Sequence, residues 1–175
     1  MEQVSKTITV KKARAEVFAF WRNFENLSHF MIHLVRVDVT SPTKSHWVAK
    51  APAGVEVEWD AEIIDEHANE FISWRSLEDS DIDNAGTVRF KDAPADRGTE
   101  VQVELRYDAP AGKAGAALAK WFGEEPAQQI ADDLRRFKQV LETGEVVRSE
   151  GSLEGAGQGA SKQRPSQAPG PEVHV

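Results

Sequence analysis

Three residues at four-residue intervals, Glu25, His29 and His33, carry side chains suited to metal binding or acid–base chemistry. Residues four apart share one face of an α-helix, so this spacing would present one carboxylate and two imidazoles together. Two such histidines can hold zinc when a third ligand converges on them. Here Ser28 and Phe30 flank His29, where a zinc hydrolase carries its glutamate, and a strand is predicted directly after His33. We therefore predict a solvated helix face and no metal site.

A second acidic set, Asp79, Asp81 and Asp83, resembles the first half of a calcium-binding loop. An EF-hand loop requires glycine at its sixth position and glutamate at its twelfth. Those positions hold Asn84 and Phe90, so the motif is incomplete. We predict a solvated hairpin loop over this segment.

The composition excludes several classes of function. The net charge of −8 and the pI of about 5.2, with no cluster of Lys and Arg, argue against nucleic-acid or anionic-membrane partners. The absence of cysteine excludes disulfides, thiolate metal sites and a cysteine nucleophile. No signal peptide, bilayer-spanning segment, phosphate loop or nucleophile elbow is evident. We expect a cytoplasmic protein with no cofactor and no stable membrane insertion.

The strongest pattern in the chain is strict alternation of apolar and charged residues, over Val55–Ile63 and again over Val101–Tyr107. A period of two residues marks strands with one buried and one hydrated face. In both segments the acidic side chains and Arg106 fall on the hydrated face, so the buried face is apolar and aromatic. The few polar groups expected on or near that face are Tyr107, Ser45, Ser76, His33 and Arg36.

Strand and helix signals follow one another in a simple order. A first strand is followed by two short helices, after which the pattern stays strand-like until a final long helix. Turn signals separate the strands, so sequential strands should pair as an antiparallel meander. The predicted strands cover 3–10, 35–39, 47–51, 55–63, 71–77, 87–91 and 99–108, and the short helices cover 13–22 and 24–33.

The final helix is predicted over 113–141, and its apolar stripe is the one matching cover for the buried face of the sheet. Pro126 predicts a kink or a restart, because proline suits a first helical turn and breaks an interior. Asp132 and Arg136 should pair across one turn. Gly144 stands where a C-terminal cap belongs.

Two regions differ in composition. Residues 1–146 are predicted to form one domain with its own core. Residues 147–175 are rich in Gly, Ser, Pro and Gln and have too few apolar side chains to offset the entropy of ordering. We predict that this segment is a disordered tail.

Seven segments of the chain are similar to segments of a known protein family. They are Phe20–Leu27, Phe30–Leu34, Val57–Ile63, Ile72–Ser76, Asn84–Phe90, Gly98–Val101 and Asp133–Lys138. They resemble bacterial START-like (SRPBCC) proteins of the polyketide cyclase/dehydrase and lipid-transport branch, and the resemblance covers about residues 3–145. It implies an α+β helix-grip fold, with a seven-stranded antiparallel sheet wrapped around a long C-terminal helix and two short helices after the first strand. It also implies a hydrophobic cavity between sheet and helix.

The resemblance, with the apolar parity of the strands, predicts binding or carriage of an apolar small molecule such as a lipid, polyketide or quinone. Tyr107 is the expected polar contact of the ligand. The interruption of the final helix at Gly123–Pro126 and the loop Asp79–Gly86 are together expected to form the gate through which the ligand enters. The predicted ligand-binding residues are Trp47, Trp59, Ile63, Trp74, Phe90, Val103, Leu105, Tyr107, Leu118, Trp121, Phe122 and Ile130.

Two alternatives remain at the level of sequence. The first is a polyketide aromatase/cyclase or dehydratase in which Tyr107 or His33 moves protons. The scarcity of inward titratable groups disfavours it, because acid–base catalysis needs such a group within hydrogen-bond reach. We therefore assign no catalytic residue. The second is a structural or partner-binding module in which helix and sheet pack without a cavity. The oligomeric state is left open.

Overall fold

The computed structural model describes residues 2–50, 54, 56–80, 82–108 and 126–144. Within them, seven strands form a single antiparallel sheet and one long helix follows the last strand. The strands are β1 (Glu2–Val10), β2 (Leu34–Val39), β3 (Lys44–Lys50), β4 (Glu56–His67), β5 (Phe71–Ser76), β6 (Asp83–Asp92) and β7 (Thr99–Asp108). The α-helices are α1 (Arg14–Arg22) and α2 (Pro126–Thr143), and 3-10 helices cover Phe24–His29 and Pro94–Asp96.

The sheet is a meander whose first strand crosses to its far edge. The strand order is β1-β7-β6-β5-β4-β3-β2, and every neighbouring pair is antiparallel. The sheet curls around α2, because one face is apolar and must be covered while the other is charged and remains in water. The predicted α+β helix-grip fold is confirmed.

Strand parity agrees with the sequence prediction in β4. Val57, Trp59 and Ala61 are buried, while Glu58 and Asp60 between them are exposed.

The outer face carries the cross-strand polar pairs expected from this parity. His46 lies 3.0 Å from Glu58 and 2.8 Å from Asp60, and the hydrogen bonds to Glu58 and Asp60 raise the pKa of His46. Arg75 likewise donates to Glu62 at 3.1 Å.

The second predicted helix is shorter than expected. In place of an α-helix over 24–33, a 3-10 helix ends at His29, and its first turn is capped by Asn23, whose side chain accepts from the Glu25 N–H. A 3-10 helix has three residues per turn, so residues four apart do not align on one face. The predicted face of Glu25, His29 and His33 is therefore not formed.

The strand predicted over 35–39 is observed as β2, in which Val37 is buried while Val35 and Val39 are 46% and 44% exposed. A bulge between Leu34 and Arg36 leaves Val35 without a partner in the ladder. One strand prediction needs correction, that of the loop predicted to extend to Gly86. β6 already begins at Asp83, where it pairs with Asp108 of β7, so that hairpin loop is shorter than predicted.

The closing helix begins at Pro126 within the described residues; the predicted part from 113 to 125 lies outside them, as does the predicted tail. Gly144 ends the helix with φ +77° and donates its N–H to the Val140 carbonyl at 2.9 Å, so the predicted cap is confirmed. The predicted pair of Asp132 with Arg136 is wrong. Asp132 pairs with Arg135, and Arg136 turns inward to Asp133.

An aromatic cluster fixes α2 against the sheet and α1. The ring of Phe137 lies 5.1 Å from that of Trp21 and 4.9 Å from that of Phe30, and all three side chains are almost fully buried. A second attachment lies near the end of the helix, where the Lys138 ammonium donates to the Thr9 carbonyl at 2.7 Å. No helix among the described residues is long and apolar enough to cross a membrane.

Gly98, in the turn between β6 and β7, packs closely against the end of β1, and a substitution there tests what this contact contributes to stability. Its φ is +113°, and an added Cβ would overlap the Val10 carbonyl and lie 2.8 Å from the Lys11 Cα. We expect Gly98→Ala to lower the free energy of unfolding by about 3 kcal/mol or more, combining backbone strain with a steric clash. Chemical denaturation measures this loss.

Gly144→Ala is the matched control, because Gly144 also has a positive φ, but nothing lies within 4 Å of its added Cβ. It should cost only about 1 kcal/mol. Equal losses in the free energy of unfolding for both variants would show that the clash with Val10 and Lys11 adds nothing to the cost of the positive φ.

Candidate functional site

A cavity of about 100 Å³ lies between the inner face of the sheet and the first turns of α2. It is bounded by the segment after the 3-10 helix, by strands β2 to β7 and by α2, and its lining is almost entirely apolar. The described lining residues are Met31, His33, Leu34, Trp47, Trp59, Trp74, Ile82, Asn84, Ala85, Leu105, Arg106, Tyr107, Gln129, Ile130 and Asp133.

The structure brings part of the predicted ligand-binding set together at this cavity. Phe90 and Val103 are instead buried in the closed core, where Phe90 packs edge-on against Phe18 at 5.5 Å. Ile63 is partly buried against the core and is not among the described lining residues. The predicted residues that do line the cavity are Trp47, Trp59, Trp74, Leu105, Tyr107 and Ile130, while Leu118, Trp121 and Phe122 lie outside the described residues.

Three tryptophans on adjacent strands form one wall of the cavity. The Trp47 and Trp59 rings are stacked with centroids 5.6 Å apart and planes 28° apart, and those of Trp47 and Trp74 are 6.5 Å and 21° apart. Two contacts hold this row in place. The Trp47 Nε1–H donates to the buried Ser45 hydroxyl at 2.8 Å, and Phe24 packs edge-on against both Trp47 and Trp74 at 5.7 Å. We call Trp47, Trp59 and Trp74 the tryptophan wall.

Gly86 makes room for one end of the tryptophan wall. It pairs with Trp74 on β5 and with Leu105 on β7, so it stands between two large inward side chains. An added Cβ would lie 2.7 Å from the Trp74 Cε2 and 2.8 Å from the Leu105 Cδ2, both far below contact distance. The indole of Trp74 therefore covers β6 only because position 86 has no side chain.

Asp133 and Arg136 connect α2 to the segment beside the cavity. The Arg136 guanidinium donates to the Phe30 carbonyl at 3.0 Å and forms an ion pair with the Asp133 carboxylate. The same carboxylate is 3.5 Å from the Ile32 N–H. These contacts tie the helix to residues 30–32, directly before His33, so the helix and this border of the cavity are held together.

The environment shifts the titration of two cavity residues. Burial raises the pKa of Asp133 to about 6, an effect that its hydrogen bond and ion pair with Arg136 partly oppose. Burial also lowers the pKa of His33, and the nearby positive charge of Arg136 adds to this. Burial thus favours the neutral form of the His33 imidazole, and the Asp133 carboxyl titrates near pH 6. The Tyr107 phenol is a third polar group of the lining.

Asp133 is a cavity residue that sequence reasoning missed. The signal was present, because position 133 follows Ile130 by three residues and precedes Phe137 by four, within the apolar stripe of α2. An acidic residue on such a stripe marks a polar group that needs a buried partner. Arg36, in contrast, was expected near the cavity but is exposed and pairs with Asp38 at 3.0 Å.

The side chains of Glu25, His29 and His33, whose spacing raised the question of a metal site, are in different environments. Glu25 accepts from the Val39 N–H at 3.2 Å, and His33 lines the cavity. Over the part of the chain that the structure describes, no group of three His, Asp or Glu side chains converges as a metal site would require.

We expect the Asp133 carboxyl to titrate near pH 6, as followed by the carbon-13 shift of its carboxyl group. Its pKa lies above the ordinary 3.8, so the folded protein binds this proton more tightly than the unfolded chain does. The stability that protonation contributes is full below about pH 4 and is lost as the pH rises through about 6. Asp133→Asn should remove this part of the pH dependence.

Two neighbouring variants should move the Asp133 midpoint in opposite directions. Arg136→Gln should raise it, because Arg136 stabilises the ionised form, and Asp132→Asn should lower it slightly, because Asp132 is a nearby like charge. A midpoint at the ordinary value in the unmodified protein would contradict the burial of this carboxyl.

Comparisons with known proteins agree with this architecture. Residues 10–135 match the family model described as polyketide cyclase/dehydrase and lipid transport. An uncharacterised 17.2 kDa protein of Streptomyces lincolnensis is 29% identical over 144 residues, which are 81% of this chain and 91% of that protein.

Two solved structures share the fold. A crystal structure of a protein from Deinococcus radiodurans is 37% identical, with a TM-score of 0.68 over 83% of this chain and all of that one. The Zhui aromatase/cyclase of a Streptomyces species is 13% identical, with a TM-score of 0.63 over 83% of this chain and 99% of that one, a likeness of fold alone. The family model covers well over half of the sequence. This chain belongs to the polyketide cyclase/dehydrase and lipid transport family.

Proposed function

We propose that the protein binds and carries an apolar small molecule in the cavity between the sheet and α2. The observation that carries the proposal is the lining itself, in which the tryptophan wall, Leu105 and Ile130 face a common space. Burial of apolar area stabilises a ligand by about 25 cal/mol per Å² before the costs of association. A cavity of this composition therefore favours an apolar guest over a polar one.

The size of the cavity narrows the range of guests. Ligand pockets are typically about 300–1,000 Å³, whereas this cavity measures about 100 Å³. An extended lipid or polyketide chain exceeds this space as it stands. The proposal therefore concerns the smaller members of the predicted range, or the part of a larger molecule that enters the cavity.

Binding of toluene and hexan-1-ol, measured by calorimetry, tests the proposal. Leu105→Arg should lower the affinity for both by about tenfold or more, because a guanidinium would then occupy the apolar space. Ser5→Arg is the matched control, since Ser5 is exposed on the adjacent strand β1, where its cross-strand partner is Glu104 of β7. Its affinities should equal those of the unmodified protein.

Two results would contradict carriage. One is the absence of binding by either probe. The other is unchanged binding in a folded Leu105→Arg protein, which would place the ligand elsewhere. Native mass spectrometry of the protein purified from its own host gives an independent measurement, and the expected result is a retained apolar molecule.

A second candidate function, polyketide cyclisation or dehydration, is favoured by one observation. His33, Tyr107 and Asp133 line the same cavity, and two of them have pKa values displaced by burial. A carboxyl group with a pKa of about 6, as Asp133 has, can give or take a proton from a bound substrate. The sequence prediction had only His33 and Tyr107 for this role, and Asp133 is a third group of the lining that can exchange a proton.

Turnover separates the two functions. If the protein is an enzyme, it should convert a poly-β-ketone in solution, with a rate that depends on pH near 6. Asp133→Asn and Tyr107→Phe should then abolish the conversion while toluene binding persists. If the protein is a carrier, binding occurs without conversion at any pH.

A further inference from the structure

The tryptophan wall gives the cavity a shape as well as an apolar character. The plane of Trp47 lies 28° from that of Trp59 and 21° from that of Trp74, so Trp47 is stacked nearly parallel to both neighbouring indoles. Aromatic rings attract one another in offset-stacked and edge-to-face arrangements, beyond the gain from area alone. A planar aromatic guest obtains this extra attraction, whereas a saturated guest does not.

The volume matches a guest with few atoms. A cavity of about 150 Å³ lined by apolar side chains is known to hold one benzene molecule, so the 100 Å³ here is on the order of one six-membered ring. A flexible chain of equal carbon number also loses rotational freedom on confinement, at a cost that a rigid ring avoids. The size of the cavity and the entropy of confinement therefore both favour a single rigid ring.

Gly86 keeps this shape fixed. Trp74 and Leu105 both lie over the bare backbone of position 86, so the indole of Trp74 lies in contact with β6. A side chain there would overlap both and displace the indole, Leu105 or both. The position of Trp74 in the wall thus depends on Gly86.

The apolar character of the lining disfavours an ionised guest, because a charge removed from water costs free energy unless a partner pairs with it. The Asp133 carboxylate of the lining is already paired with Arg136, and Arg106 is an exposed side chain. Uncharged polar groups are also available in the lining, on Asn84 and Tyr107. A ring that carries no charge and has a single hydroxyl, which Asn84 or Tyr107 could contact, suits this lining.

We infer that the cavity selects an uncharged, planar, single-ring aromatic molecule over an aliphatic one of the same size. This inference rests on the proposed function, because it names the class of ligand for the same cavity. It assigns the selection to stacking on the tryptophan wall, with Gly86 as the residue that sets the position of Trp74.

Three alcohols with six carbons and one hydroxyl provide the test: phenol, cyclohexanol and hexan-1-ol. Calorimetry on the full chain should give a dissociation constant for phenol about fivefold or more below that for hexan-1-ol, with cyclohexanol weaker than phenol. Nuclear magnetic resonance of the indole N–H groups should show phenol shifting the signals of the tryptophan wall. The signal of Trp21, which is buried in the aromatic cluster around Phe137, should not move.

Trp74→Leu tests the cause of the selection. It removes an aromatic face but keeps an apolar side chain, so phenol affinity should fall about threefold to tenfold while hexan-1-ol affinity holds or rises. Phe18→Leu is the matched control, because it makes the same kind of change in the closed core, where Phe18 contacts Phe90. It should leave the ratio of the two affinities unchanged.

The outcomes separate this inference from the proposed function. If hexan-1-ol binds as tightly as phenol, the protein still carries apolar molecules and the selection for a planar ring is wrong. If Trp74→Leu weakens both probes equally, stacking does not cause the selection. If none of the three alcohols and no toluene binds, the proposed function itself fails. The comparison of alcohols on the unmodified protein holds even if the variants do not fold.

Discussion

The structure depends on one packing constraint: the apolar face of a curled sheet must be covered by a single amphipathic helix. Phe137 anchors that helix by contacting Trp21 and Phe30, whose rings lie about 5 Å away. Close packing of this kind fills the space between these three rings. At the other end, toward the start of α2, the sheet carries large flat indoles instead, and helix and sheet do not close completely. The closed core and the cavity are thus two ends of one interface.

The polar residues follow the same division. Charges on the outer face of the sheet pair across strands in water, as His46 does with Glu58 and Asp60. Such exposed pairs contribute little to stability. Asp133 and Arg136 differ because they lie between the helix and the segment beside the cavity, where burial strengthens their interaction and makes each depend on the other. The ion pair that ties the helix to residues 30–32 therefore also supplies a titratable group of the cavity lining, the Asp133 carboxyl.

The fold was largely predictable from local signals. Alternation in β4 and β7 marked the buried face correctly, since a strand exposes alternate residues whatever its partners are. Gly144 was recognisable as a cap, because a helix end needs a positive φ. The failures have a shared cause. The segment after α1 forms a 3-10 helix in place of an α-helix, β6 begins at Asp83 because it pairs with β7, and Arg136 pairs with Asp133 and the Phe30 carbonyl. These are backbone irregularities or contacts with distant segments, which the periodicity of the chain does not encode.

By itself, the sequence determined the antiparallel sheet, the covering helix and the apolar inner face, because these follow from the spacing of residue types along the chain. The family was recognisable from the resemblance of particular segments to known proteins. Tertiary structure alone decided which aromatic residues close the core and which leave a cavity. Phe90 and Trp74 have the same inward parity, yet one packs against Phe18 and the other lies over Gly86 beside empty space. The physical reason is that a cavity is a mismatch of volumes between elements far apart in the chain, and no local pattern records the size of the side chain opposite.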